Sequence, residues 1–191
     1  MKINSKLYMV IPVERDDGTK VFVHAAPISR EVFESYYLVI AKTFSSLYQE
    51  GLGVTSGPRV AAMALRRIAE EMGIWSGEVG VERGLMLEIE RLCNVLAPGP
   101  RGWEHVPLRE AIKRQILDSD DASEVMNAIT FFSVAYSVHR KTDREAILKA
   151  ASGFWGAQIV LSDSTAYSAS LPTLTAIETF PVKKAGLSVP S

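Results

Sequence analysis

Ser29-Arg30-Glu31-Val32-Phe33-Glu34-Ser35-Tyr36-Tyr37-Leu38-Val39-Ile40-Ala41-Lys42-Thr43-Phe44-Ser45-Ser46-Leu47-Tyr48-Gln49-Glu50-Gly51 reads as one long helix. Ser29 can cap its start by accepting from a first-turn amide, and Gly51 can stop it by taking a left-handed conformation. Phe33, Tyr37, Ile40, Phe44 and Leu47 recur at the spacing of one helical face. Val32, Tyr36 and Val39 widen that stripe, so this helix is expected at the centre of the fold.

The same periodicity extends C-terminally. Gly51 to Gly57 reads as a connector, after which Pro58 suits the first turn of a helix ending at Gly73. Its expected inner face is Ala61, Leu65, Ile68 and Met72. A third helix is expected over about Glu78 to Leu96, with Val81, Leu85, Ile89, Leu92 and Val95 inside. Pro98-Gly99-Pro100-Arg101-Gly102 breaks the chain. A short helix follows with Leu108, Ile112 and Ile116. Asp118 to Asp121 then place capping oxygens and negative charge at the start of a strong helix to about Arg140. Val125, Ile129, Phe132 and Tyr136 form its apolar face. Thr142 can cap a last helix carrying Ile147, Ala151 and Phe154.

Toward the N-terminus, Leu7 to Val13 and Lys20 to Ala25 are β-rich runs around Asp16-Asp17-Gly18-Thr19. Asp-Gly is a strong hairpin signal. An isolated hairpin is marginal in water, so it should pack on the helices or pair with another chain's edge. Beyond Ser162 the composition turns to Ser, Thr, Ala and Pro without a sustained period, which reads as a loose tail. The expected class is therefore mainly α. A hairpin over residues 1–28 packs on a multi-helix domain over residues 29–161, and residues 162–191 form a flexible C-terminal tail.

Composition fits a globular protein, with 47% apolar and 23% charged residues among 191. Lys+Arg 21 against Asp+Glu 22 gives a net charge of -1. Nucleic-acid binders usually carry a basic excess that displaces counterions, so this balance argues against that class. Arg59, Arg66 and Arg67 cluster on the second helix, but Glu70 and Glu71 follow Arg66 and Arg67 at ion-pairing spacing. Met1-Lys2-Ile3-Asn4-Ser5 leads into no apolar signal core, and no window approaches the roughly 18 apolar residues of a membrane span. A cytoplasmic protein without a membrane anchor is expected.

The chain offers no recognisable catalytic or cofactor motif. Cys93 is a single cysteine, read as a small apolar residue on a helix face. His24, His105 and His139 lie far apart, without the i, i+4 spacing of a helical metal site. Gly51 to Gly57 lacks the Lys-Ser/Thr of a phosphate loop, since Pro58-Arg59 stands there instead. Gly77, Gly80 and Gly84 lack the preceding strand of a dinucleotide fingerprint. Glu70-Glu71 and Asp120-Asp121 are adjacent pairs that point about 100° apart on a helix and do not converge on a substrate. No enzyme activity, cofactor or metal is expected. Trp75, Trp103 and Trp155 stand near helix ends or in loops, where tryptophan either plugs the core or anchors a partner.

Several segments resemble tail assembly chaperones of long-tailed bacteriophages and prophages. They are Pro27-Ile28-Ser29-Arg30-Glu31-Val32-Phe33-Glu34, Leu38 to Ala41 with Lys42-Thr43-Phe44, Glu50-Gly51-Leu52-Gly53, and Ser56-Gly57-Pro58-Arg59-Val60-Ala61. Further C-terminal are Gly84-Leu85-Met86, Arg91-Leu92-Cys93-Asn94-Val95-Leu96, Phe154-Trp155-Gly156-Ala157-Gln158 and Ser170-Leu171-Pro172-Thr173. The resemblance implies a binding protein of the host cytoplasm that coats the helical tape measure protein before tail tube subunits polymerise, and that self-associates along it. It also implies a longer form, made by translational frameshifting, that recruits the tail tube protein. Lys183-Lys184 is the candidate slip position, since two lysine codons can form an A-rich heptamer. Two other classes remain at this stage: a virion structural protein (minor tail or tail completion), and a helical nucleic-acid-binding regulator using Arg59, Arg66 and Arg67.

Overall fold

The computed structural model describes residues 6–15, 18–153 and 156–173. Trp155, Lys183 and Lys184 lie outside them. Strands β1 (Tyr8–Glu14) and β2 (Lys20–Ala25) form the expected hairpin, closed by Gly18 N–H on Arg15 O at 2.8 Å. Gly18 has φ +78°, a backbone angle that glycine adopts without steric cost. The hairpin does not stand alone. β3 (Cys93–Gly99) pairs with β2, and β4 (Gly102–Pro107) pairs with β3; β5 (Gln158–Val160) pairs with the free edge of β1. The result is a five-stranded antiparallel sheet in the order β4-β3-β2-β1-β5.

This sheet corrects the helix expected over Glu78 to Leu96. Helical structure there is confined to a π-helical turn at Glu82–Met86, with Met86 N–H on Val81 O at 2.9 Å, and α3 (Leu87–Arg91). From Cys93 the chain is extended. β3 is covered on both faces: Cys93, Val95 and Ala97 lie in the main core, and Leu96, fully buried, points the other way. A strand apolar on both faces shows no alternation, so its short apolar run mimics the end of a helical stripe. The Pro98–Gly102 break is the tip of a hairpin, with Gly99 opposite Gly102.

The helices pack on one face of the sheet. They are α1 (Arg30–Gln49), α2 (Gly53–Glu71), α4 (Leu108–Lys113), α5 (Ser119–Val138) and α6 (Arg144–Ser152), with α3. Ser29 caps α1 as expected, its Oγ accepting from Val32 N–H at 3.2 Å. Asp118 caps α5 through two amides, Asp120 and Asp121, each at 2.8 Å. Thr142 does not cap α6: the N-cap position is Asp143, to whose carboxylate the Thr142 hydroxyl donates.

The central helix is α5, not α1. Every residue from Asn127 to Ala135 is buried, and α5 packs on α1, α2, α3, α6 and β1. α1 buries only Val39, Ile40, Thr43 and Leu47, while Tyr37 is 58% exposed. α2 starts at Gly53, so Pro58 lies inside it and not in its first turn. The helix accommodates the proline by widening locally, with Gly57 N–H reaching Leu52 O at 3.3 Å. Further along, Ala62 N–H donates to the side-chain oxygen of Asn127 at 2.9 Å.

The segment expected to be a loose tail is structured where it is described. α7 (Ser164–Ser170), capped by Asp163 on Ala166 N–H at 2.9 Å, lies on the sheet face opposite the other helices. It packs on β3, whose Leu96 is 0% exposed although it faces away from the main core; Val10 of β1, also outside that core, is 1% exposed. The molecule is thus a mixed helical and antiparallel-sheet domain. None of the described helices is long and apolar enough to cross a membrane.

Candidate functional site

The expected anchors separate. Trp75 is half-buried against the main core, with the Arg66 guanidinium 5.3 Å from its ring centre. Trp103 sits on β4 on the other face of the sheet. Its ring meets Phe22 edge-on at 5.5 Å, and its indole N–H donates to Pro172 O at 3.0 Å. Both side chains are therefore engaged within the chain. Arg66 and Arg67 are also engaged, pairing with Glu70 and Glu71 at 2.8 and 3.0 Å. Cys93 is buried and donates to Ile89 O at 3.1 Å; burial pushes its thiol pKa strongly up, so it stays protonated and unreactive.

The outer face of the sheet carries an aromatic cluster under α7. Tyr167 meets Phe22 and His24 with ring centres 6.1 Å apart in each case, and Tyr8 meets His24 at 5.0 Å. His24 Nε2–H donates to Ser162 O at 3.0 Å, and the His105 ring pairs with the Ser168 hydroxyl at 2.9 Å. Burial holds the His24 pKa below the ordinary histidine value, against the opposing pull of the Ser162 carbonyl and Asp163. Together with Trp103, these residues clasp Ser162 to Pro172 onto the sheet. His139 is elsewhere, at the end of α5, edge-on to Phe44 at 5.0 Å. Among the described residues, no three His, Cys, Asp or Glu side chains gather as a metal ligand set would.

The surface most suited to a partner is on α1. Phe33, Tyr37, Ala41, Phe44 and Tyr48 follow an i, i+4, i+8, i+11, i+15 path along one flank of it. The helix kinks at Tyr36 (φ -119°, ψ 16°), so Phe33 stands ahead of the kink, and the part from Tyr37 to Tyr48 is about 16 Å long at 1.5 Å per residue. Tyr37 and Tyr48 are 58% and 42% exposed; Phe33 and Phe44 are half-buried, and the rings of Phe44 and Tyr48 meet with centres 4.6 Å apart, tilted by 42°. A cavity of about 470 Å³ lies between the start of α1 and the α5–α6 link, and Phe33 helps to line it. On the opposite flank of α1, Leu52, Val60, Met63 and Ile68 line a second groove, of about 320 Å³, between α1 and α2.

The helical period puts Phe33, Tyr37 and Phe44 on the expected inner face of this helix, and Tyr48, one turn beyond Phe44, continues it. The usable signal was their chemistry: two of the four are tyrosines, whose hydroxyls favour a wet end. The truly buried row, Val39-Ile40-Thr43-Leu47, lies about 100° around the helix. No protein-family model matches the chain, and neither curated proteins nor solved structures show a significant likeness to it.

Proposed function

We propose that this chain is a tail assembly chaperone that holds the apolar face of a helical tape measure protein along the α1 stripe. The carrying observation is the row of exposed aromatics, Tyr37 and Tyr48 with Phe33 and Phe44, on a 20-residue helix that is otherwise anchored. Soluble monomers do not usually leave such a row open, and a flat aromatic stripe suits the i, i+4, i+7 anchors of an amphipathic partner. The resemblance of the Pro27–Glu34, Leu38–Phe44 and Ser56–Ala61 segments to this family supplies the partner's identity.

The reading asks for modest affinity per subunit, since many copies along one tape measure multiply the effect and favour self-association between neighbours. A frameshifted longer form, slipping at Lys183-Lys184, would carry the surface that recruits the tail tube protein. Function then requires no bound cofactor, and the relevant compartment is the host bacterial cytoplasm. Co-expression with the tape measure protein is the test. The chaperone should raise the soluble fraction of that protein severalfold without added nucleotide or metal. An equally insoluble tape measure with and without this chain would refute the reading.

A further inference from the structure

The cavity at the head of the α1 stripe is basic on every side that carries charge. Lys6, ahead of β1, Arg30, at the start of α1, and Lys141 and Arg144, around the start of α6, all line it, and no carboxylate does so among the described residues. This concentration is local, because the chain as a whole has a net charge of -1. Phe33 and Tyr136 form its apolar walls.

The four cations are not equally committed. Arg30 shares its charge with Glu34, Nε to Oε1 at 2.6 Å, on the exposed surface. Arg144 is held in place: its guanidinium lies 4.2 Å from the Tyr136 ring centre, and its Nε–H donates to His139 O at 3.1 Å. That leaves the remaining guanidinium N–H groups for a ligand. Lys6 and Lys141 make no ion pair among the described residues; the Lys6 ammonium only stands 5.9 Å from the Tyr8 ring centre. Cations drawn together from three segments repel one another, and an anion seated among them relieves that repulsion.

We infer that this cavity is a carboxylate-binding subsite that receives the acidic end of the amphipathic helix whose apolar face lies on the α1 stripe. The inference rests on the helix-capture reading and adds the partner's charge pattern to it. Position favours this occupant, because Phe33, on the cavity wall, stands just ahead of the kink at Tyr36 where the Tyr37–Tyr48 row begins, so one helix can reach both. Charge complementarity then fixes the register of the helix along α1, since sliding by one turn withdraws its carboxylates from the cations. Such pairs act through specificity and association rate more than through raw affinity.

The test uses the full chain and two synthetic helical peptides of about 18 residues, a length that spans the stripe at 1.5 Å per residue. Both carry leucines at i, i+4, i+7 and i+11; one has a pair of glutamates at one end and the other has lysines in their place. Fluorescence anisotropy of the labelled peptides should show about tenfold tighter binding of the glutamate peptide at low salt, with the difference shrinking as salt is raised. The exposed double variant Lys6→Glu with Lys141→Glu should reverse the preference. Equal binding of both peptides by the wild-type chain overturns the subsite and leaves the stripe standing. Binding of neither peptide overturns both. Tighter retention of a short DNA duplex than of the glutamate peptide, lost in the same variant, would assign the cations to nucleic acid instead.

Discussion

Asn127 and Thr130 sit one turn apart on α5, both buried, and their polar atoms fare differently. Asn127 donates from Nδ2 to Ser123 O at 2.9 Å and accepts from Ala62 N–H at 2.9 Å, tying α5 to α2 just past the proline-widened turn. Thr130 Oγ1 is buried without a hydrogen-bond partner among the described residues. Losing a partner strands a desolvated group, whereas replacing an unsatisfied hydroxyl with a methyl removes a penalty. Asn127→Ala should therefore lower unfolding free energy by about 1–3 kcal/mol, and Thr130→Val should be neutral or stabilising by up to about 1 kcal/mol. Urea midpoints of the two variants test this; a Thr130→Val loss as large as that of Asn127→Ala would contradict it. Neither residue was legible as a special position, because the helical period announces that a face is buried and says nothing of which polar groups are paired there. Cys93 shows the converse. Its apolar character was readable from its chemistry, while its strand was not.

At the scale of elements, the helices with caps and long periods were readable, and the strands between them only in part. Ser29 and Asp118 mark helix starts because their side chains take orphan amides locally. The β3–β4 hairpin was hidden because β3 is buried on both faces, and because Asn94-Val95-Leu96 continues the apolar spacing of α3. α7 was hidden for a different reason: it buries no residue of its own, and only its Tyr167 ring enters the outer cluster. Docking of this segment has a pH signature. His24, 3% exposed, has its pKa lowered from the ordinary 6.5, so the unfolded or undocked state takes up the proton more readily. The stability gained from docking is whole above about pH 7.5. It falls as pH drops through 6.5 toward the lower folded-state value, where it levels off. Thermal melts between pH 7.5 and 5.5 should show this decline, and His24→Gln, which keeps a side-chain donor, should flatten it. An unchanged slope in His24→Gln would place the proton uptake on another group.

For the whole molecule, a helical layer with an N-terminal hairpin was within reach of the sequence, and a five-stranded sheet covered on both faces was not. Strand pairing between residues as distant as Val10 and Gln158 leaves no local trace. The exposure of the proposed partner surface was hidden by the same limit. A stripe three to four residues apart identifies an apolar helix face, but only the neighbours decide whether that face is core or open. On α1 the neighbours cover Val39, Ile40, Thr43 and Leu47 and leave Tyr37 and Tyr48 outward. The proposed function rests on capture of the tape measure helix by this outward row. The direct measurement is the soluble fraction of tape measure protein co-expressed with the wild-type chain or with the Tyr37→Ser, Tyr48→Ser double variant. Both substitutions remove exposed rings, so the variant should keep the helical circular dichroism spectrum and melt within a few degrees of wild type. If the proposed capture holds, the variant leaves most of the tape measure insoluble while the wild type holds it in solution. A folded variant that solubilises the tape measure as well as the wild type does would contradict it.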